Sequence, residues 1–197
     1  MYRTDVYFIT KNLAEMPFTT FLPFVFTGIS YYMIGLYQPA ENFFICTAIL
    51  ILVANTAVSY GYLLSCLAKD INMALALAAP LLIPLMLFGG FFLNSGTVPN
   101  YFIWIKYISW FNYGNEALMI NQWKDVEFIN CTQSGHVVSD DECLNDGQEV
   151  LELLSYKTTN MGFDIGLLFV LIVAFRLVAF LLLLNKTKRK TVKVIDE

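Results

Sequence analysis

Residues 162–184 read GFDIGLLFVLIVAFRLVAFLLLL, and residues 185–190 continue as NKTKRK. At about 1.5 Å per helical residue, the apolar run is long enough to cross a hydrocarbon core of roughly 30 Å. The basic cluster after it marks the side of the membrane on which it ends. Arg176 is a charge well inside the run, and Asp164 stands near its start. The segment reads as a membrane span, and the rest of the chain is read in the same solvent.

Composition agrees. The 197 residues are 57% hydrophobic and only 14% charged, and the mean hydropathy is +0.60. A soluble domain is about half apolar and about a quarter charged. The charges are also clumped: between Pro17 and Leu93 only Glu41, Lys69 and Asp70 occur. Long uncharged runs of this kind predict a polytopic, all-α integral membrane protein. Met1 to Glu15 is mixed and charged, unlike a secretory signal.

Working outward, residues 1–16 read as a short amphipathic segment at the cytoplasmic surface, with Val6, Ile9 and Leu13 at helical spacing. A first span follows at about 17–36. A second at 43–68 carries Asn55, Thr56, Ser59 and Ser65, which favour close packing and interhelical hydrogen bonds. Ala57, Ser59 and Gly61 offer a surface for another helix. A third span at 71–93 holds Pro80 and Pro84, four apart, so a bend is expected there. Ala79, Ile83 and Met86 recur at i, i+4 and i+7 on one stripe of it. The span at 162–184 is the fourth, and residues 186–197 form a basic tail.

Between the third and fourth spans lies LMLFGGFFLNSGTVPNYFIWIKYISWFNYGNEALMINQW, residues 85–123. It is too polar to be a simple span and too aromatic to be a surface loop. Residues 98–123 are predicted to be a re-entrant helical segment, tolerable at membrane depth where protein surrounds its polar groups. Residues 125–159 form an acidic loop.

Orientation comes from the charges. Lys186, Lys188, Arg189, Lys190 and Lys193 lie in the tail, Arg3 and Lys11 at the N-terminus, and Lys69 in the middle turn. The net acidic stretch between the last two spans holds only Lys106, Lys124 and Lys157. Positive-inside places both termini in the cytoplasm and the long loop outside. Two features of the loop ask for the same side. Cys131 and Cys143 have a spacing that suits a disulfide in an oxidising compartment. Asn130-Cys131-Thr132 is a glycosylation sequon. Asn185-Lys186-Thr187 matches the pattern too, but touches the membrane on the cytoplasmic side. Cys46 and Cys66 read as small buried residues, and His136 as a solvated loop residue. No spacing suggests a metal site.

Two intramembrane charges remain. Arg176 lies about nine residues, roughly 13 Å, from the cytoplasmic end of its span. It is a functional candidate by default, against snorkelling to the inner interface or a structural pair within the bundle. Glu116 is the acid within the aromatic run, a pathway group or a structural pairing residue.

With those residues in view, the chain resembles the membrane domain of the ABCG (white-type) half-transporters of the ATP-binding cassette superfamily. The matching pieces are Tyr2-Arg3, Tyr7-Phe8 and Glu15-Met16-Pro17 before the first span, and Tyr32-Met33-Ile34-Gly35-Leu36 at its end. Gly90-Phe91-Phe92-Leu93-Asn94, Trp104, Tyr107, Ser109, Tyr113, Glu116-Ala117-Leu118, Asn121 and Phe175-Arg176 follow. Within the family it looks closest to the insect white/scarlet/brown eye-pigment precursor transporters, through residues 87–96 and Asn121-Gln122-Trp123.

The resemblance implies an ABC-2/ABCG-type transmembrane domain whose four spans are the third to sixth of six. The nucleotide-binding domain would be absent from this chain. It contains no GxxxxGK[ST] loop, so no cofactor is expected here; ATP and magnesium would belong to that other domain. The resemblance also implies a homo- or heterodimer with another ABCG half-transporter, small hydrophobic or aromatic substrates, and no nucleic-acid partner. It puts Ala79, Ile83 and Met86 on the substrate cavity and Phe91 and Phe92 in a plug above it. A plasma membrane or a pigment-granule membrane would suit. Two rivals are an ATP-independent channel or scaffold and a membrane-embedded enzyme. The enzyme would need a paired site at bilayer depth, and the spans read as offering no histidine and no pair of acids.

Overall fold

A computed structural model describes residues 4–36, 39–90, 103–129 and 146–195. Phe91 and Phe92, Asn130, Cys131, His136 and Cys143 lie outside the described residues. Those described form helices and turns, with no strand among them.

Helix α1 spans Thr4–Ile34, α2 Ala40–Leu67, α3 Ile71–Leu87, α4 Ile103–Ile108, α5 Trp110–Trp123, α6 Gly147–Leu153 and α7 Met161–Ile195. A single 3₁₀ turn, Thr158–Asn160, leads into α7. The surface segment and the first predicted span are one helix, α1, unbroken at Pro17 and Pro23. Its 31 residues correspond to about 46 Å, longer than the hydrocarbon core, so one end projects or the helix tilts. Beside the prolines its hydroxyls turn back on the helix. Thr20 donates to Met16 O at 2.9 Å and Thr27 to Pro23 O at 2.7 Å, as expected where no water competes.

By length and composition, two helical stretches are long and apolar enough to cross a membrane, Ala40–Leu67 and Thr158–Thr187; Ile71–Leu87 is apolar but shorter. Helix α3 stops at Leu87 because Phe88 to Gly90 turn and Gly90 takes φ +82°. That left-handed conformation costs glycine little. Helix α7 runs past its predicted end at Leu184 into the basic tail. There Lys186 Nζ donates to Ala68 O at 2.8 Å, placing a cation on the carbonyl end of α2. The acidic loop is partly helical: Asp146 caps α6 through Gln148 N.

Helix α2 is the hub, packed against α1, α5 and α7. Asn55 and Ser59 face Arg176, and Ala68 faces Lys186, so α2 and α7 run in the same direction. Thr19 faces Asn55 and Phe8 faces Tyr62, so α1 runs against both. The core is aromatic. Trp110, 1% exposed, sits 4.8 Å from Tyr60 and 6.0 Å from Phe175 between ring centroids. Leu64, Tyr113 and Leu168 complete it, with Leu82 and Leu85 of α3 against its side. Buried aromatic rings supply large contact areas, and tilted pairs are their favoured geometry.

Small residues set the helix spacing, but not all of those predicted. A Cβ on Gly114 would meet the Val53 side chain, and one on Gly89 would meet the Phe111 Cβ. Gly61 has open space around it and Ala57 is exposed. Only Ser59 of the predicted trio faces the bundle, because residues two apart point to nearly opposite sides of a helix.

Candidate functional site

Three sites emerge, at the turn that ends α3, in mid-bundle and along α3. Helix α3 is two-faced. Ala78, Leu82 and Leu85 pack on the core, whereas Ala79, Ile83 and Met86 point away from it. Ile83 keeps 58% of its surface exposed and Met86 41%, and Ala79 is exposed as well. The predicted stripe is therefore a continuous apolar face that none of the described residues covers. Met86 also borders a cavity of about 290 Å³ between α2, α3 and α5, walled by Val53, Gly89, Phe111, Gly114, Asn115 and Leu118.

The end of α3 is fastened by Ser109 and by Tyr156, and the break beside it is tied by Tyr113. Ser109, in the break between α4 and α5, donates to Leu85 O at 2.6 Å. Tyr113 OH donates to Tyr107 O at 2.8 Å across the same break. Tyr156 OH donates to Gly90 O at 3.4 Å and accepts from Asn115 Nδ2 at 2.9 Å. The re-entrant prediction thus falls on two helices with a tied break between them. Its polar residues face protein: Asn112, Tyr113, Glu116 and Asn121 are all buried.

The C-terminal end of α5 is clamped to the start of α2. Asn121 Nδ2 donates to Asn42 O at 2.9 Å, and Asn42 Nδ2 donates to Asn121 O at 3.3 Å. The sequence displays both asparagines, but their 79-residue separation hides the pairing.

Glu116 and Arg176 do not meet. Glu116, 8% exposed, accepts from Asn160 Nδ2 at 3.1 Å. Asp164 of α7 is 2% exposed, its Oδ2 buried with no hydrogen-bond partner. Asp164 lies at the start of the fourth predicted span and Glu116 in the broken segment before it, on α7 and α5, which pack together. Among the described residues no cluster of His, Cys, Asp or Glu could hold a metal ion.

Arg176 reaches sideways across the bundle. Its Nε donates to Ser59 Oγ at 3.0 Å and its Nη2 to Asn55 Oδ1 at 3.4 Å. Thr19 Oγ1 lies 3.5 Å from the same Asn55 oxygen, so α1, α2 and α7 share one polar node. Asn55 lies one helical turn before Ser59 on α2, so the guanidinium reaches across to α2, and of the sequence readings the geometry matches pairing within the bundle.

The described residues thus form a helical bundle with a broken segment between α3 and α7 and polar side chains shared between helices. Residues 1–123 match the ABC-2 type transporter family, and the chain belongs to that family. It is 45% identical over 192 residues to Protein white of Ceratitis capitata, covering 96% of this chain and 28% of that protein. It is 46% identical over 192 residues to Protein white of Drosophila melanogaster, covering 96% of this chain and 27% of that protein. Similarity extends to ABC transporter ATP-binding protein/permease wht-1 of Caenorhabditis elegans, 34% identical over 193 residues, 97% of this chain and 29% of that protein. The chain spans a little over a quarter of the length of these curated relatives. The resemblance to ABCG white-type transporters read from the motifs holds, and the chain is an all-α membrane domain of that type.

Proposed function

We propose that this membrane domain works in an ATP-driven exporter that moves small hydrophobic or aromatic molecules, such as pigment precursors, as a dimer with a second ABCG half-transporter. The observation that carries the reading is the uncovered face of α3. An apolar stripe that the described residues leave open, ending at a glycine turn held by Ser109 and Tyr156, suits a cavity wall completed by a second protomer. In this reading Ala79, Ile83 and Met86 line the cavity, and Phe91 and Phe92 form the plug above it. Closure of two nucleotide-binding domains on ATP and magnesium would part the plug, and hydrolysis would reset it. No residue of this chain is assigned a catalytic part in that step. The proposed topology has four spans, both termini cytoplasmic, and the loop bearing Asn130 and the Cys131–Cys143 pair outside. The membrane is the plasma membrane or that of a pigment granule.

The test is ATP-dependent uptake of labelled aromatic precursors into inside-out vesicles carrying the full-length protein with candidate partners. Ile83→Trp should change the substrate profile while the dimer still assembles. Uptake indifferent to both ATP and Ile83→Trp would refute the assignment.

A further inference from the structure

The cavity of about 290 Å³ between α2, α3 and α5 takes its walls from three helices of one chain, so they stand whatever else surrounds the bundle. Its shape is set by two close helix contacts. At Gly89, α3 comes so near α5 that a Cβ would run into Phe111 Cβ, and at Gly114, α5 comes so near α2 that a Cβ would run into Val53 Cγ2. With the helices pinned at both points, the space left between them is narrow and preformed. Phe111 borders it, and Trp110, 1% exposed, stacks on that ring at 5.1 Å between centroids, so the core holds the ring in place. The volume falls just below the range of about 300–1,000 Å³ that holds drug-sized ligands, which suits one or two fused rings.

Asn115 is the informative wall. Among the described residues that line the cavity, it alone has a polar side chain. The turn that ends α3 fixes which way its amide lies. Tyr156 spends its hydroxyl hydrogen on Gly90 O, so toward Asn115 it accepts, and Asn115 Nδ2 donates to it at 2.9 Å. The amide nitrogen is thereby held on Tyr156 and Oδ1 is left over. No described residue donates to that oxygen. An acceptor without a donor on an apolar wall is costly to leave unpaired, and it selects a ligand that brings a donor over one of the same shape that does not.

We propose that this cavity binds a small planar aromatic molecule that carries an N–H or O–H group. The ring lies in the slot beside Phe111, and its donor meets Asn115 Oδ1. Met86, 41% exposed, belongs both to the cavity wall and to the open stripe of α3, so the site is a side chamber of the substrate cavity proposed above. The path of entry rests on that reading of the stripe; the binding itself does not.

The experiment uses full-length protein in nanodiscs and reads binding by fluorine NMR. The probes are a fluorinated indole and the matching fluorinated benzothiophene, the same fused bicycle with sulfur in place of the N–H. Each is referenced to its partition into nanodiscs without protein. Wild type should bind the indole saturably and about fivefold more tightly than the benzothiophene, the scale of one net hydrogen bond. Asn115→Leu, close to the amide in size, should level the two probes. Leu118→Trp fills the cavity from α5, leaves the Asn115–Tyr156 bond in place, and should abolish saturable binding of both. That variant keeps the test decisive if Asn115→Leu does not fold. Equal affinity of the two probes in wild type would overturn the proposal, as would binding that survives Leu118→Trp. The absence of saturable binding in wild type would mean that other polypeptide fills the cavity, and would overturn it too. Saturable binding without ATP-driven uptake would support the site and count against the transport reading alone; uptake without saturable binding would overturn the site and leave the transport reading standing.

Discussion

The Asn42–Asn121 clamp predicts an asymmetry that side-chain identity alone would not. Each asparagine donates one hydrogen bond to the other's backbone carbonyl, yet the two carbonyls differ. Asn42 O lies in the first turn of α2, where the helix supplies it with an intrahelical donor. Asn121 O lies in the last turn of α5, where carbonyls have no such partner. The chain leaves α5 through Lys124 N to Ile120 O and Val126 N to Trp123 O, and neither bond serves Asn121 O. Asn42→Ala therefore removes one bond and orphans a buried carbonyl, a loss of about 1–3 kcal/mol. Asn121→Ala removes one bond whose acceptor stays satisfied. It also deletes a buried Oδ1 that has no partner of its own. Its cost should be about 0–1 kcal/mol, near the ~0.6 kcal/mol average of interhelical hydrogen bonds in membranes. Equilibrium unfolding of the full-length protein by steric trapping in bicelles would measure both variants. A loss for Asn121→Ala equal to or larger than that for Asn42→Ala would refute the reasoning.

Three further predictions concern packing, topology and the gate. Gly114→Val should lower thermal stability, because its Cβ would enter the Val53 side chain, and Val53→Ala should restore much of the loss; a melting curve for the pair decides it, with no rescue counting against the close approach. Asn130→Gln should abolish a glycan-dependent gel shift, and Cys131 and Cys143 should resist thiol labelling until reduced. A persisting shift or free labelling under oxidising conditions would argue against an external loop. Phe91→Ala should alter transport by the full-length dimer without preventing assembly, and unchanged transport of each substrate tried would remove the plug.

What the sequence made legible was periodic or local. The apolar run of residues 162–184 announced a membrane helix because hydrocarbon forbids a long unpaired backbone. The stripe of Ala79, Ile83 and Met86 could be read as one face because helical spacing fixes it. Which side of α3 the bundle would take was not legible, since Ala78, Leu82 and Leu85 are just as apolar. Gly61 and Gly114 look alike in sequence, and only the packing separates the open one from the one pressed on Val53.

The polar residues divide in the same way. Sequence alone determined that Arg176 and Glu116 sit among apolar neighbours, because each lies within a run long enough or aromatic enough to belong to the membrane. Tertiary structure decided their company: Arg176 with Ser59 and Asn55, Glu116 with Asn160. Those partners lie 117, 121 and 44 positions away along the chain. Helical periodicity carries information over a few turns. Contacts at such separations are set by how whole helices cross, and a hydrogen bond at membrane depth is made by whichever partner the crossing delivers.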